Sequence, residues 1–132
     1  MNKMRLTLLT CLLALLVLGA NSAYAQSTRS AIKNATWQTS VDDSRQGTVT
    51  LGLRDKWGTV GRYTASFVVT APSKRKTRVP KFQGWTTVSG DDFGYISFPD
   101  DFDGKPLAGG TYTVIFYADG IIVGRDKFKF RP

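Results

Sequence analysis

The chain of 132 residues has no histidine and no glutamate; its ten acidic residues are all aspartate, and its single cysteine is Cys11. Each absence excludes something. Without histidine the chain lacks the side chain that titrates near neutral pH and the commonest metal ligand. Ser-His-Asp and Cys-His nucleophile systems cannot be assembled, nor can zinc sites of the Cys/His type. The missing glutamate removes the bidentate residue that closes an EF-hand calcium loop. One cysteine allows no intrachain disulfide, so a domain built from this chain rests on its apolar core. What is present argues for a folded chain: 42% hydrophobic residues, eight of them Phe, with 18 Lys and Arg giving a net charge of +8.

Lys3 and Arg5 precede an apolar run from Leu6 to Ala20. That run has the length of a signal-peptide core and falls short of the roughly 18 to 20 residues of a spanning helix. Ala23 and Ala25 occupy the small-residue positions of a cleavage site. The pattern predicts a leader over 1–25, cleaved after Ala25, and one domain over 26–132. Cys11 lies inside the apolar run rather than closing it, so lipid attachment is not expected. Cleavage leaves 107 residues, lowers the charge from +8 to +6 with the loss of Lys3 and Arg5, and removes the only cysteine. About 100 residues suffice for a single core. No transmembrane segment is expected in the mature chain, and the expected location is periplasmic or secreted.

Beyond residue 26 the hydrophobic pattern alternates with period two, as in half-buried antiparallel strands. Val49, Leu51 and Leu53 share one face of 48–53; Tyr63, Ala65, Phe67 and Val69 share one face of 62–70. Tyr112, Val114, Phe116 and Ala118 do so in 111–118, and Phe128 and Phe130 point inward from 122–130 with Lys127 and Lys129 outward. Weaker patterns predict strands over 31–40, 82–88 and 93–98. Asp119-Gly120, between two alternating runs, is the strongest hairpin signal. About seven short strands predict an all-β, single antiparallel β-sandwich.

The tail GTYTVIFYADGIIVGRDKFKF, Gly110 to Phe130, resembles the last two strands of bacterial extracytoplasmic immunoglobulin-like domains. Leu107, Gly110, Tyr112 and Val114 are similar to the tyrosine-corner pattern of immunoglobulin folds, with Val114 in place of its cysteine, and the opening Ile32 to Asp43 is similar to the first strand of such modules. The resemblance implies an immunoglobulin-like sandwich without the inter-sheet disulfide, with Phe67 in place of the central tryptophan. The family hosts many functions, so it implies none in particular.

Charge is unevenly distributed. Between Lys56 and Gly90 there are seven basic residues and no acid, and Lys74, Arg75, Lys76, Arg78 and Lys81 fall within PSKRKTRVPK. Pro72 and Pro80 bracket that stretch as a loop or irregular edge. It is either a polyanion contact, with Trp85 as a stacking neighbour, or a solubilising segment that keeps an edge strand from pairing. Asp100, Asp101 and Asp103 form an acidic loop whose oxygen chemistry suits calcium, although their spacing matches no calcium loop. Seven Asp from residue 91 onward could meet the basic stretch within or between molecules. Trp37, Trp57 and Trp85 are expected to serve the core; exposed, they would suit stacking on sugar faces. Paired carboxylates for hydrolysis would have to come from Asp91 or Asp92 with Asp101 or Asp103, and nothing places them in a cleft.

The sequence thus predicts a small exported binding module without catalytic residues, metal or cofactor. Its expected partner is an envelope protein or an anionic envelope component, met through Lys74, Arg75, Lys76, Arg78, Lys81 and Trp85. The alternatives are a structural or accessory subunit of a secretion or surface-appendage assembly, joined by strand addition at an exposed edge, and an inhibitor that inserts the loop from Pro99 to Gly110.

Overall fold

The computed structural model describes residues 29–72, 79–104 and 108–132. The chain divides after Asn34 into two units. In the first, residues 29–34 form a short helix; the second carries seven strands. These are β1 (Trp37–Asp42), β2 (Val49–Asp55), β3 (Arg62–Thr70), β4 (Lys81–Ser89), β5 (Gly94–Phe98), β6 (Gly110–Ala118) and β7 (Ile121–Phe130). They form two antiparallel sheets, ordered β1-β2-β5 and β4-β3-β6-β7. The expected leader over 1–25 lies outside the described residues.

The alternating runs became strands with the faces they predict. Val49, Leu51, Leu53, Ala65, Phe67, Val69, Val114, Phe116 and Ala118 have no exposed surface, and they carry the two inner faces. One expectation fails at its start: 31–40 is not a continuous strand, because residues 29–34 are helical and β1 begins at Trp37. The stretch RSAIKN has no period-two alternation, contains good helix formers, and ends on Asn34, a residue suited to leaving a helix.

A cluster of rings closes one end of the core. Phe98 meets Phe82, Phe102, Tyr112, Phe128 and Phe130 at centroid distances of 5.1 to 5.7 Å. The Tyr112 hydroxyl donates to the Ala108 carbonyl four residues upstream. At the opposite end, Asp119 and Gly120 turn β6 into β7 with φ of 44° and 79°. Both central residues of a type I′ turn need positive φ, which Asp and Gly tolerate. The turn is tied to β3, since Thr64 N–H donates to Asp119 Oδ1 at 2.8 Å and Asp119 N–H to the Thr64 carbonyl at 2.9 Å.

Candidate functional site

Lys74, Arg75, Lys76 and Arg78 lie outside the described residues. The strands that flank them are described: Ala71 N–H donates to the Pro80 carbonyl at 3.0 Å, closing the base of the β3–β4 connection. Lys81 opens β4, and Trp85 lies at its centre. Both are exposed and both point outward from the four-stranded sheet, opposite in phase to the buried Phe82, Gly84 and Val88.

Strand register sorts that outer face into rows. Trp85, Ser66, Tyr117 and Ile122 lie side by side across β4, β3, β6 and β7. The next row is Gln83, Val68, Ile115 and Arg125, and the third is Lys81, Thr70, Thr113 and Lys127. An apolar belt with Trp85 68% and Ile122 47% exposed is thereby bordered by cations. Arg62 and Lys129 share the face, so Arg62, Lys81, Arg125, Lys127 and Lys129 all project from it, and no outward position of the four strands is acidic. Thr113, Val114, Ile115, Arg125, Asp126 and Lys127 line a shallow depression of about 430 Å³ at the β6–β7 side. The outward phase of Lys127 and Lys129 was legible in the sequence. Their union with Lys81, more than forty residues earlier, needed the sheet order.

Where β4 and β5 run side by side at the open flank of the sandwich, Trp85, Thr86, Tyr95, Ile96 and Asp101 line an open groove of about 410 Å³. Tyr95 is 54% exposed. It lies over Gly52, where an added Cβ would come within 2.7 Å of the Tyr95 ring, and it stacks on Phe93 at 5.1 Å. The Arg54 guanidinium lies over the Phe93 ring at 5.5 Å and approaches Asp91 at 3.8 Å, the one ion pair among the described residues. The expectation that the tryptophans serve the core is overturned for two of them: Trp85 is exposed in the groove and Trp57 is 69% exposed. Trp85 falls on the outward phase of an edge strand, and Trp57 sits in a turn, positions that no core face reaches. Tyr95, Phe93 and Arg54 were missed because their grouping depends on the β2–β5 pairing.

The acidic loop is structural where it is described. Asp101 Oδ2 accepts Ser97 N–H at 2.7 Å, and Asp103 Oδ1 accepts Gln83 N–H at 2.6 Å. Asp100 is exposed. No group of three metal-ligating side chains occurs among the described residues. Most of the basic stretch expected to meet the acidic residues lies outside the described residues; among those described, Asp103 accepts from the backbone of neutral Gln83, two residues beyond Lys81.

Asp55 is the buried charge that the sequence reading passed over. It continues the inward phase of Val49, Leu51 and Leu53 and is fully buried. Its Oδ2 accepts Val60 N–H at 2.8 Å and so shapes the β2–β3 loop, while Lys56 Nζ lies 5.1 Å from the Trp57 ring centre at the loop tip. Among the described residues, buried Asp55 Oδ1 has no hydrogen-bond partner, and the buried Tyr63 hydroxyl has none of good geometry, although the Asp55 backbone lies near it. Burial pushes the Tyr63 phenol up to about 12; the Asp55 backbone opposes the shift and the Asp55 charge adds to it.

No family model matches the chain, and no curated protein is significantly similar to it in sequence. No helix among the described residues is long and apolar enough to cross a membrane.

Proposed function

We propose that the chain is an exported, non-enzymatic, immunoglobulin-like binding module of the bacterial envelope. Its proposed ligand is an anionic envelope component that presents phosphate or carboxylate groups beside apolar surface. The observation that carries this reading is the outer face of β4-β3-β6-β7, where five cations project around the belt of Trp85, Tyr117 and Ile122 and every outward strand position is basic or uncharged. Charge of one sign concentrates counter-ions and ligands at a surface, and apolar side chains beside it give that ligand something to bury.

The immunoglobulin-like part of the proposal is supported by three features. The sheets divide as β1-β2-β5 and β4-β3-β6-β7, which differs from the constant-type arrangement in the sheet to which the fourth strand belongs. The Tyr112 hydroxyl reaches back to Ala108 at the start of the penultimate strand, as the tyrosine corner requires. Phe67 and Val114, the stand-ins for tryptophan and cysteine, are fully buried. Export is supported by the leader pattern.

Co-sedimentation with vesicles of anionic or neutral phospholipid, and with lipopolysaccharide, across a salt titration tests the proposal. Binding to the anionic surfaces alone, weakening with salt, is expected. Each of Lys81→Glu, Arg125→Glu, Lys127→Glu and Lys129→Glu should cost about 1 kcal/mol or more of binding, with the thermal midpoint nearly unchanged. Binding that ignores both salt and these substitutions would refute it.

A further inference from the structure

Hydrogen-bond accounting along β4 and β5 leaves a gap at the groove. In an antiparallel strand, successive residues send their N–H and C=O groups to opposite sides. Pro80 faces β3, where its carbonyl meets Ala71 N–H, and Gln83 faces away. Gln83 N–H donates to Asp103 Oδ1 at 2.6 Å, and its carbonyl accepts Asp103 N–H at 3.3 Å. Trp85 and Thr87 share the phase of Gln83, so their backbone groups also point away from β3, and they have no partner among the described residues. The same holds on β5. Ser97 faces away from β2 and is satisfied in both directions by Asp101, whereas Tyr95, in phase with it, has no such partner among the described residues. The loop from Pro99 to Gly104 therefore covers half of this flank and stops where the groove begins.

We propose that the β4 edge from Trp85 to Thr87 receives an extended peptide of a partner protein as an added strand. One apolar side chain of that peptide enters the groove between Trp85 and Tyr95. The occupant follows from the chemistry of the edge. Paired N–H and C=O groups repeating every two residues, about 6.8 Å apart, match the backbone of a strand. The groove, at about 410 Å³, is within the ~300–1,000 Å³ range of ligand clefts and is walled by two exposed rings. Main-chain bonds would supply affinity and the ring-lined groove specificity, as in other strand additions. Asp101 borders the groove on its β5 side, so a basic residue beside the apolar one on that side adds charge complementarity.

Short random peptides displayed on phage and selected on the purified protein test this directly. Selected peptides are expected to alternate an apolar residue with neighbours that include Lys or Arg, and to slow amide exchange at Trp85 and Thr87. Thr87→Pro removes one outward donor from an edge position that tolerates proline. It should weaken those peptides about tenfold, the scale of one backbone hydrogen bond, while sedimentation with anionic vesicles is unchanged. Tyr95→Ala, which alters no backbone donor, should weaken them as well and serves if Thr87→Pro lowers the thermal midpoint. Peptides that bind both variants as tightly as the parent, or protect only amides elsewhere, would overturn the proposal. So would a dimer of the unliganded protein abolished by Thr87→Pro, which would give the edge to a second copy, or saccharide binding at Trp85 and Tyr95 that survives Thr87→Pro.

Discussion

The four-stranded sheet ends in β7 on one side and β4 on the other, and the two edges are finished differently. Along β7 three outward groups are occupied: Lys127 N–H by Asp126 Oδ1 at 2.8 Å, Lys129 N–H by Asp43 Oδ2 at 2.9 Å, and the Arg131 carbonyl by Gly47 N–H at 2.6 Å. The side chains of that edge, Arg125, Lys127, Lys129 and Arg131, are all basic. Side-chain caps and like charge are the devices by which natural sheets avoid unwanted pairing. Along β4 the cap stops at Gln83, and Trp-Thr-Thr-Val follows with no charge and strong strand preference. A chain that caps two donors and charges the side chains of one edge leaves the other uncapped where an aromatic groove adjoins it. The contrast distinguishes an edge closed by its own loops from one available to a partner.

The largest disturbance of that contrast is expected from Phe98→Ala. Its ring touches Phe82 of β4 as well as Phe128 and Phe130 of β7, so both edges lean on it. A loss of about 3–5 kcal/mol in urea unfolding is expected, with amide protection falling on both sides. Gly94→Ala separates the two sides. An added Cβ would overlap the Val88 side chain and force β5 away from β4, at a cost of about 1–3 kcal/mol. Protection at Lys127 and Lys129 should be unaffected, and equal losses at both edges would show that they are not independent. Asp103→Ala sharpens the comparison further. It leaves Gln83 N–H without its carboxylate, costs about 1 kcal/mol, and lengthens the open stretch of β4, so exchange at Gln83 should rise to the level of Trp85. The smallest stability effect, within about 0.5 kcal/mol, is expected for Lys127→Thr with Lys129→Thr. Thermal unfolding should barely move while sedimentation with anionic vesicles falls.

Much of this architecture is written locally in the sequence. Tyr63, Ala65, Phe67 and Val69 announce β3 to the residue, and Asp119-Gly120 marks the β6–β7 hairpin, because alternation and positive φ are properties of a few neighbouring residues. Tyr112 was legible for the same reason: its partner Ala108 is four residues away. What escaped depends on pairing. The strand start at Trp37 was blurred by apolar Ala31 and Ile32, which belong to a helix. Trp57 and Trp85 were assigned to the core on residue type, whereas a turn and an outward phase expose them. Tyr95 and Trp85 meet only because β5 and β4 end their respective sheets on the same flank, and no spacing in the sequence encodes that. Asp55 continues an alternation whose other members are aliphatic, so its burial contradicts its type. The basic residues between Lys74 and Arg78, singled out by sequence, lie outside the described residues, and the cationic character of the sheet face rests on others.

Residue-resolved amide hydrogen exchange of the purified protein tests the edge account most directly, because it reads each donor separately. Gln83, Ser97 and Lys129, which donate to Asp103, Asp101 and Asp43, are predicted to exchange slowly, and Trp85, Thr87 and Tyr95 at least tenfold faster. Equal protection of Trp85, Thr87 and Gln83 would contradict it, since the β4 edge would then already be filled.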